Sequence, residues 1–171
     1  MRKSILVLGL CLALSVFWGS DILAQVSKEI TEPVTSTWYS ESKMLPLGED
    51  SSFNTFEVFG ALMSEERKGL FHEATLHAAG SSLNVKGVVK KFIMYGSYLL
   101  KNGDEVFFEM TRDEFKIGTP YKGIVTLIGG TGKCAGIQGG WEYTGVNLRP
   151  AATAGGIGQG YNKHLIKYRL P

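Results

Sequence analysis

From Phe53 to Leu170 the chain alternates with a period close to two, and that repeat limits its fold more than any other feature. Phe56, Val58 and Leu62 alternate with Glu57 and Phe59, and Leu70, Ala74, Leu76 and Ala78 with Phe71, Glu73, Thr75 and His77. Phe92, Met94, Tyr98 and Leu100 share one face of the run 90–101, while Phe107, Glu109 and Thr111 share one face of the next. Short alternating runs of this kind form antiparallel strands with two unlike faces. The punctuation agrees. Asn102-Gly103 stands between two such runs as a hairpin signal, and Gly80-Ser81-Ser82, Gly118-Thr119-Pro120 and Gly129-Gly130-Thr131-Gly132 recur at strand-like intervals. With 22 glycines against 5 prolines, the composition favours turns and close backbone approaches over long helices. The run 53–71 is the exception, because Phe56, Phe59 and Met63 also suit a helix, and a single helical turn is expected near Ser64–Lys68. The reading is one all-β domain of seven or eight strands from Thr37 to Leu170. Closing it as a single antiparallel barrel would remove exposed edges.

The N-terminus follows other rules. Met1-Arg2-Lys3-Ser4 is basic, Ile5 to Trp18 is uninterruptedly apolar, and Ile22-Leu23-Ala24 precedes Gln25. That is the layout of a secretory signal peptide over residues 1–24, although Ile22 stands where a small residue is usual. An uncleaved anchor is the alternative, but the apolar run is shorter than the roughly 20 residues that span a bilayer. Leu10 before Cys11 does not suit a lipoprotein signal. The expectation is an exported protein, periplasmic or secreted, with no membrane insertion after cleavage. Residues 25–36 are polar and read as an extended lead-in, and 37–171 as the barrel. Cleavage removes Cys11 and leaves only Cys134, so the mature chain has no internal disulfide and relies on packing or assembly.

A formal net charge of +2 gives no global attraction to nucleic acid, and the aromatics lack the basic stripe that base stacking would need. Gly129–Gly140 contains Gly132-Lys133, but a phosphate loop needs glycine where Leu127 stands and Ser or Thr where Cys134 stands. The later glycine-rich stretch fails as well: Ala154-Gly155-Gly156-Ile157-Gly158 has the wrong intervals for a dinucleotide fingerprint and no βαβ unit around it. Cys134 reads as a small packing residue, since neighbouring Lys133 would point to the opposite face of a strand. His72, His77, His164 and Cys134 show no metal-ligand spacing. Neither a metal nor a cofactor is expected.

The run Gly123-Ile124-Val125-Thr126-Leu127-Ile128-Gly129-Gly130-Thr131-Gly132-Lys133-Cys134-Ala135-Gly136-Ile137-Gln138-Gly139-Gly140-Trp141 resembles the strand–GGTGK–strand motif of the dirigent and allene oxide cyclase barrels, above all exported bacterial members. The hairpin Gly96-Ser97-Tyr98 to Asn102-Gly103-Asp104 fits the same layout. The resemblance implies a calycin-like, eight-stranded antiparallel barrel with a lipophilic cavity, and a possible homotrimer. Under it the glycine-rich stretch is a barrel corner. Neither family's catalytic set transfers: Cys134-Ala135-Gly136-Ile137 stands where dirigent proteins carry arginine-containing sequence, and Glu105-Val106 follows Gly103-Asp104 where the cyclases place a tyrosine.

Three functions fit such a barrel. A binding module would take a small hydrophobic molecule against inward aromatics, with Phe92, Tyr98 and Phe107 as candidates. A cyclase or isomerase would need a carboxylate of perturbed pKa inside, for which Glu73, His77 and Glu109 are the candidates. A structural or interaction protein would have a filled interior. Binding stands first, because fold alone assigns no reaction. Alternation cannot say which face is inside, since both faces mix apolar and polar residues.

Overall fold

The computed structural model describes residues 28–149 and 156–171; the signal peptide read over residues 1–24 lies outside them. Among the described residues nine strands follow one another: β1 (Ile30–Pro46), β2 (Ser51–Ser64), β3 (Thr75–Val85), β4 (Val88–Leu99), β5 (Glu105–Arg112), β6 (Phe115–Lys116), β7 (Tyr121–Gly130), β8 (Gln138–Arg149) and β9 (Ile157–Arg169). The order β3-β2-β1-β9-β8-β7-β5-β4 closes on itself through a β3–β4 pairing. Eight strands thus form an antiparallel barrel, and the two-residue β6 is an extra strand on β4. The all-β barrel expected from the period-two repeat is what the chain forms.

It begins earlier than Thr37, however. Residues from Ile30 onward, read as part of a lead-in, already form β1, with Ile30 paired to Tyr168 of β9 and Val34 to Ser64 of β2. Glu32, Val34 and Ser36 are the inward positions there, and all three are buried. Two of them are polar, which is why the segment does not read as core. Near Ser64–Lys68 the chain makes a turn, closed by Arg67 N–H to Ser64 O at 3.1 Å, instead of a helical turn.

The two ends of the barrel are filled differently. At one end the β2–β3 connection drops Phe71 inside, where its ring meets Tyr98, Trp141 and Tyr168 edge-on at centroid distances of 5.5, 6.2 and 5.5 Å. Tyr98 stacks on Phe108 at 4.4 Å, and Leu62, Val106 and Ile166 complete a closed apolar plug. The corner 129–137 lies at this same end, where Gly132 has φ +52° and a Cβ there would strike the Asp104 carboxylate. Asp104 Oδ2 accepts the Lys133 N–H at 3.0 Å, and Thr131 Oγ1 accepts the Glu105 N–H at 2.8 Å. An internal carboxylate therefore occupies the backbone donor that a phosphate would have needed. Buried Cys134 lies in this corner; burial first, and Asp104 second, push its thiol pKa up, so it stays a protonated packing group.

Glycine has a second use inside the barrel. Large rings lie across facing glycines on neighbouring strands: a Cβ at Gly145 would meet the Tyr121 ring, one at Gly123 the Tyr143 ring, and one at Gly160 the Trp38 ring, all closer than 3 Å. Removing the facing side chain is what lets these rings lie flat against the wall. At the other end of the barrel the interior is not filled.

Candidate functional site

That other end is hollow. The inward positions of β1 run Val34, Ser36, Trp38, Ser40, Ser42 and Met44, so beyond Trp38 the strand turns small and polar. Gly158 on β9, paired with Ser40, and Ser82 on β3 are small as well. The space left is a cavity of about 380 Å³, within the size range of small-molecule sites. Phe56, Val58, Leu76, Phe92 and Met94 give it an apolar wall, with Phe56 stacked on Phe92 at 5.0 Å. Phe115 and Ile117, carried by β6 and the residue after it, line it from the β5–β7 connection. Asn54, Asn84, Asn147 and Asn162 bring polar groups.

One charge lines the cavity among the described residues: Arg112, the last residue of β5. Its guanidinium lies over the rings of Phe92 and Tyr121, 3.9 Å from each centroid, and its Nε donates to the Tyr143 hydroxyl at 3.1 Å. That hydroxyl donates onward to Thr111 O at 3.4 Å. Burial raises the Tyr143 pKa to about 12, and Arg112 pulls against the rise.

Beneath the cavity runs a buried polar chain. Tyr121 OH donates to Asn162 Oδ1 at 2.8 Å, and Asn162 Nδ2 reaches Ser36 Oγ at 3.4 Å. Ser36 Oγ lies 2.9 Å from His164 Nε2, and Trp141 Nε1–H donates to His164 Nδ1 at 3.0 Å. The Ser36–His164 pair has the spacing of a nucleophile and its base, yet the third partner reverses its chemistry. In a catalytic triad a carboxylate accepts the Nδ1 proton, leaving Nε2 free to take one from serine. Here an indole, which can only donate, faces Nδ1. The neutral ring must then carry its proton on Nε2 and donate to Ser36. Burial holds the His164 pKa down at about 4, so the ring stays neutral. This is a positioning network, not a hydrolytic site.

The residues singled out from the sequence fall in different places. Phe92 lines the cavity. Tyr98 faces inward but belongs to the closed plug, stacked on Phe108. Phe107 is on the outer face of β5, because Val106, Phe108 and Met110 are the buried positions. The remaining candidates lie outside the barrel. Glu73 precedes β3, exposed and paired with Lys101, whose ammonium lowers the carboxyl pKa. His77 projects outward between inward Leu76 and Ala78, stacked on Phe59 at 4.6 Å and hydrogen-bonded to Glu57 at 3.0 Å. Glu109 accepts the Tyr95 hydroxyl at 2.6 Å on the outer surface. None of these three reaches the cavity, whose described lining has no carboxylate. Arg112, Trp38, Asn162 and His164 are the interior groups that the sequence reading passed over. Their signal was present: Arg112 stands in register with Val106, Phe108 and Met110, and Asn162 and His164 alternate with Lys163 and Lys167.

No protein-family model matches the chain, and no curated protein sequence matches it. Among solved structures, that of a pterocarpan synthase dirigent protein superposes with a TM-score of 0.50 over 89% of this chain and 98% of that one, at 9% sequence identity. An identity that low speaks for the fold alone. The eight-stranded closed ring and this likeness give the chain a β-barrel fold similar to that of the dirigent protein.

Proposed function

We propose that the protein is an exported binding protein that takes a small, largely apolar molecule into the open end of its barrel, with no reaction assigned to it. The observation that carries this reading is the unequal filling of the interior. Aromatic side chains close one end, while the other keeps a cavity of about 380 Å³ between Phe56, Phe92 and Trp38. A protein using its barrel only as a scaffold would gain stability by filling that space, because apolar voids cost contact energy. Among the described residues the lining offers a cyclase or isomerase neither the carboxylate nor the histidine that acid–base chemistry would use. Export rests on the leader-like residues 1–24, and the homotrimer on the likeness to dirigent barrels; both are part of the proposal.

Native mass spectrometry of the exported protein reads all three. The expected species is a trimer of chains beginning near Gln25, carrying a lipophilic molecule that dissociates on activation. Titration with the neutral fluorophore N-phenyl-1-naphthylamine gives the binding reading its own test. Wild type should bind it with blue-shifted emission, and Ser82→Trp, which places an indole in the cavity, should weaken binding at least tenfold. Equal binding by both proteins, or none by wild type, would sink the cavity as the site.

A further inference from the structure

The geometry points to a compact aromatic carboxylate as the cavity's ligand class, with Arg112 as the residue that selects it; this rests on the binding reading above and adds the ligand's charge. Arg112 is half-buried and makes no ion pair with any carboxylate among the described residues. A cation held partly out of water without a partner is costly, and the usual solution is a counter-charge. The described lining does not supply one, for it holds neither aspartate nor glutamate. A ligand that brings its own anion completes the site.

The guanidinium is also prepared for that role. Stacking over Phe92 and Tyr121 fixes its position, and the Nε bond to Tyr143 fixes its rotation. Of its five N–H donors only the one on Nε has a partner among the described residues, so the fork of terminal nitrogens remains for a planar acceptor. A carboxylate matches that fork with two parallel bonds, which an alcohol or amide cannot do. The body of the ligand is set by the apolar lining around Arg112. Phe56, Leu76, Met94 and Phe115 line the same cavity and offer apolar surfaces that suit a ring.

The test compares 2-naphthoate with 2-naphthamide, the same body with and without charge, by calorimetric titration of the mature protein at pH 7. Wild type should bind the carboxylate at least tenfold more tightly than the amide. Arg112→Gln should bind both alike, at the level of the wild-type amide, and Arg112→Lys should keep only part of the preference, because it lacks the planar fork. Equal affinities in wild type overturn the anion inference while leaving the binding reading intact. No binding of either compound, alongside normal N-phenyl-1-naphthylamine binding, overturns the inference as well. If the neutral fluorophore also fails to bind, the cavity reading falls with it. Should Arg112→Gln not fold, the comparison of the two compounds in wild type decides alone.

Discussion

Phe71→Ala is expected to remove about 3–5 kcal/mol of folding stability, the range for losing a large aromatic from a packed core. Phe71 is fully buried although it comes from a connection and not from a strand. Its ring touches three others edge-on, and such pairs each add about 0.5–1.5 kcal/mol beyond area burial. The backbone is committed to holding it there. Glu32 Oε2 accepts the Phe71 N–H at 3.4 Å, and Leu62 bonds Ala74 and Glu73 at 2.8 and 2.9 Å. Truncation would therefore leave a hole that the surrounding chain is poorly free to close. A domain is stable by only about 5–15 kcal/mol, so the loss is a large share of the total. Urea unfolding should show the midpoint fall with an unchanged slope, and Phe71→Leu should lose less. Binding at the open end should persist wherever the variant is folded, because Phe71 does not line the cavity. A midpoint shift worth less than about 1 kcal/mol would show that the plug is not a main stabilising element of the barrel.

The strand content of this barrel was legible because turns and strands are local. Asn102-Gly103 sits in the β4–β5 turn, with the Asp104 N–H bonded to Asn102 Oδ1 at 3.1 Å, and nothing distant is needed to place it. Which face turns inward is a non-local matter, and β5 shows why it was missed. Phe107 and Phe108 are adjacent, so both registers of that strand begin on an aromatic ring. Opposite them β7 carries an irregularity: Phe107 pairs with Gly129 and Phe108 with Leu127, leaving Ile128 unpaired. A bulge of that kind re-aims side chains, and only the neighbouring strand reveals it. The run Val106, Phe108, Met110, Arg112 was the informative one. It reads as three core residues followed by a charge, and the charge is the feature that marks the site. β9 was easier in principle, since Lys163, Lys167 and Arg169 must face solvent and thereby send Asn162 and His164 inside. Phe71 and β1 were opaque for a different reason. A plug dropped from a loop has no period, and an inward face of Glu32, Val34 and Ser36 looks like surface until its hydrogen-bond partners are known.

His164 makes the stability of the barrel fall as the solution turns acidic. Its folded pKa lies near 4, whereas an unfolded histidine titrates near 6.5. Between those values the unfolded chain binds a proton that the folded chain refuses, so unfolding is favoured as pH drops. The contribution is fully present above about pH 6.5 and is lost progressively down to about pH 4. A shift of that size is worth about 3 kcal/mol, at 1.36 kcal/mol per pKa unit. Two causes act together: the ring is almost fully buried, and a proton on Nδ1 would face the Trp141 N–H that now donates to it. Glu32 works in the opposite sense. Burial raises its carboxyl pKa, so its contribution is present below the unfolded value and is lost as pH rises through the folded one. The raw pH profile therefore mixes the two, and the informative quantity is a difference between variants. In His164→Gln the side-chain oxygen can accept from Trp141 and the amide can donate to Ser36, which keeps both bonds without a titratable ring. Urea unfolding at pH 7 and at pH 4 should show wild type losing about 3 kcal/mol more than His164→Gln over that interval. Parallel losses in the two proteins would mean that the ring takes up its proton inside the fold, and that the Trp141 bond does not hold it neutral.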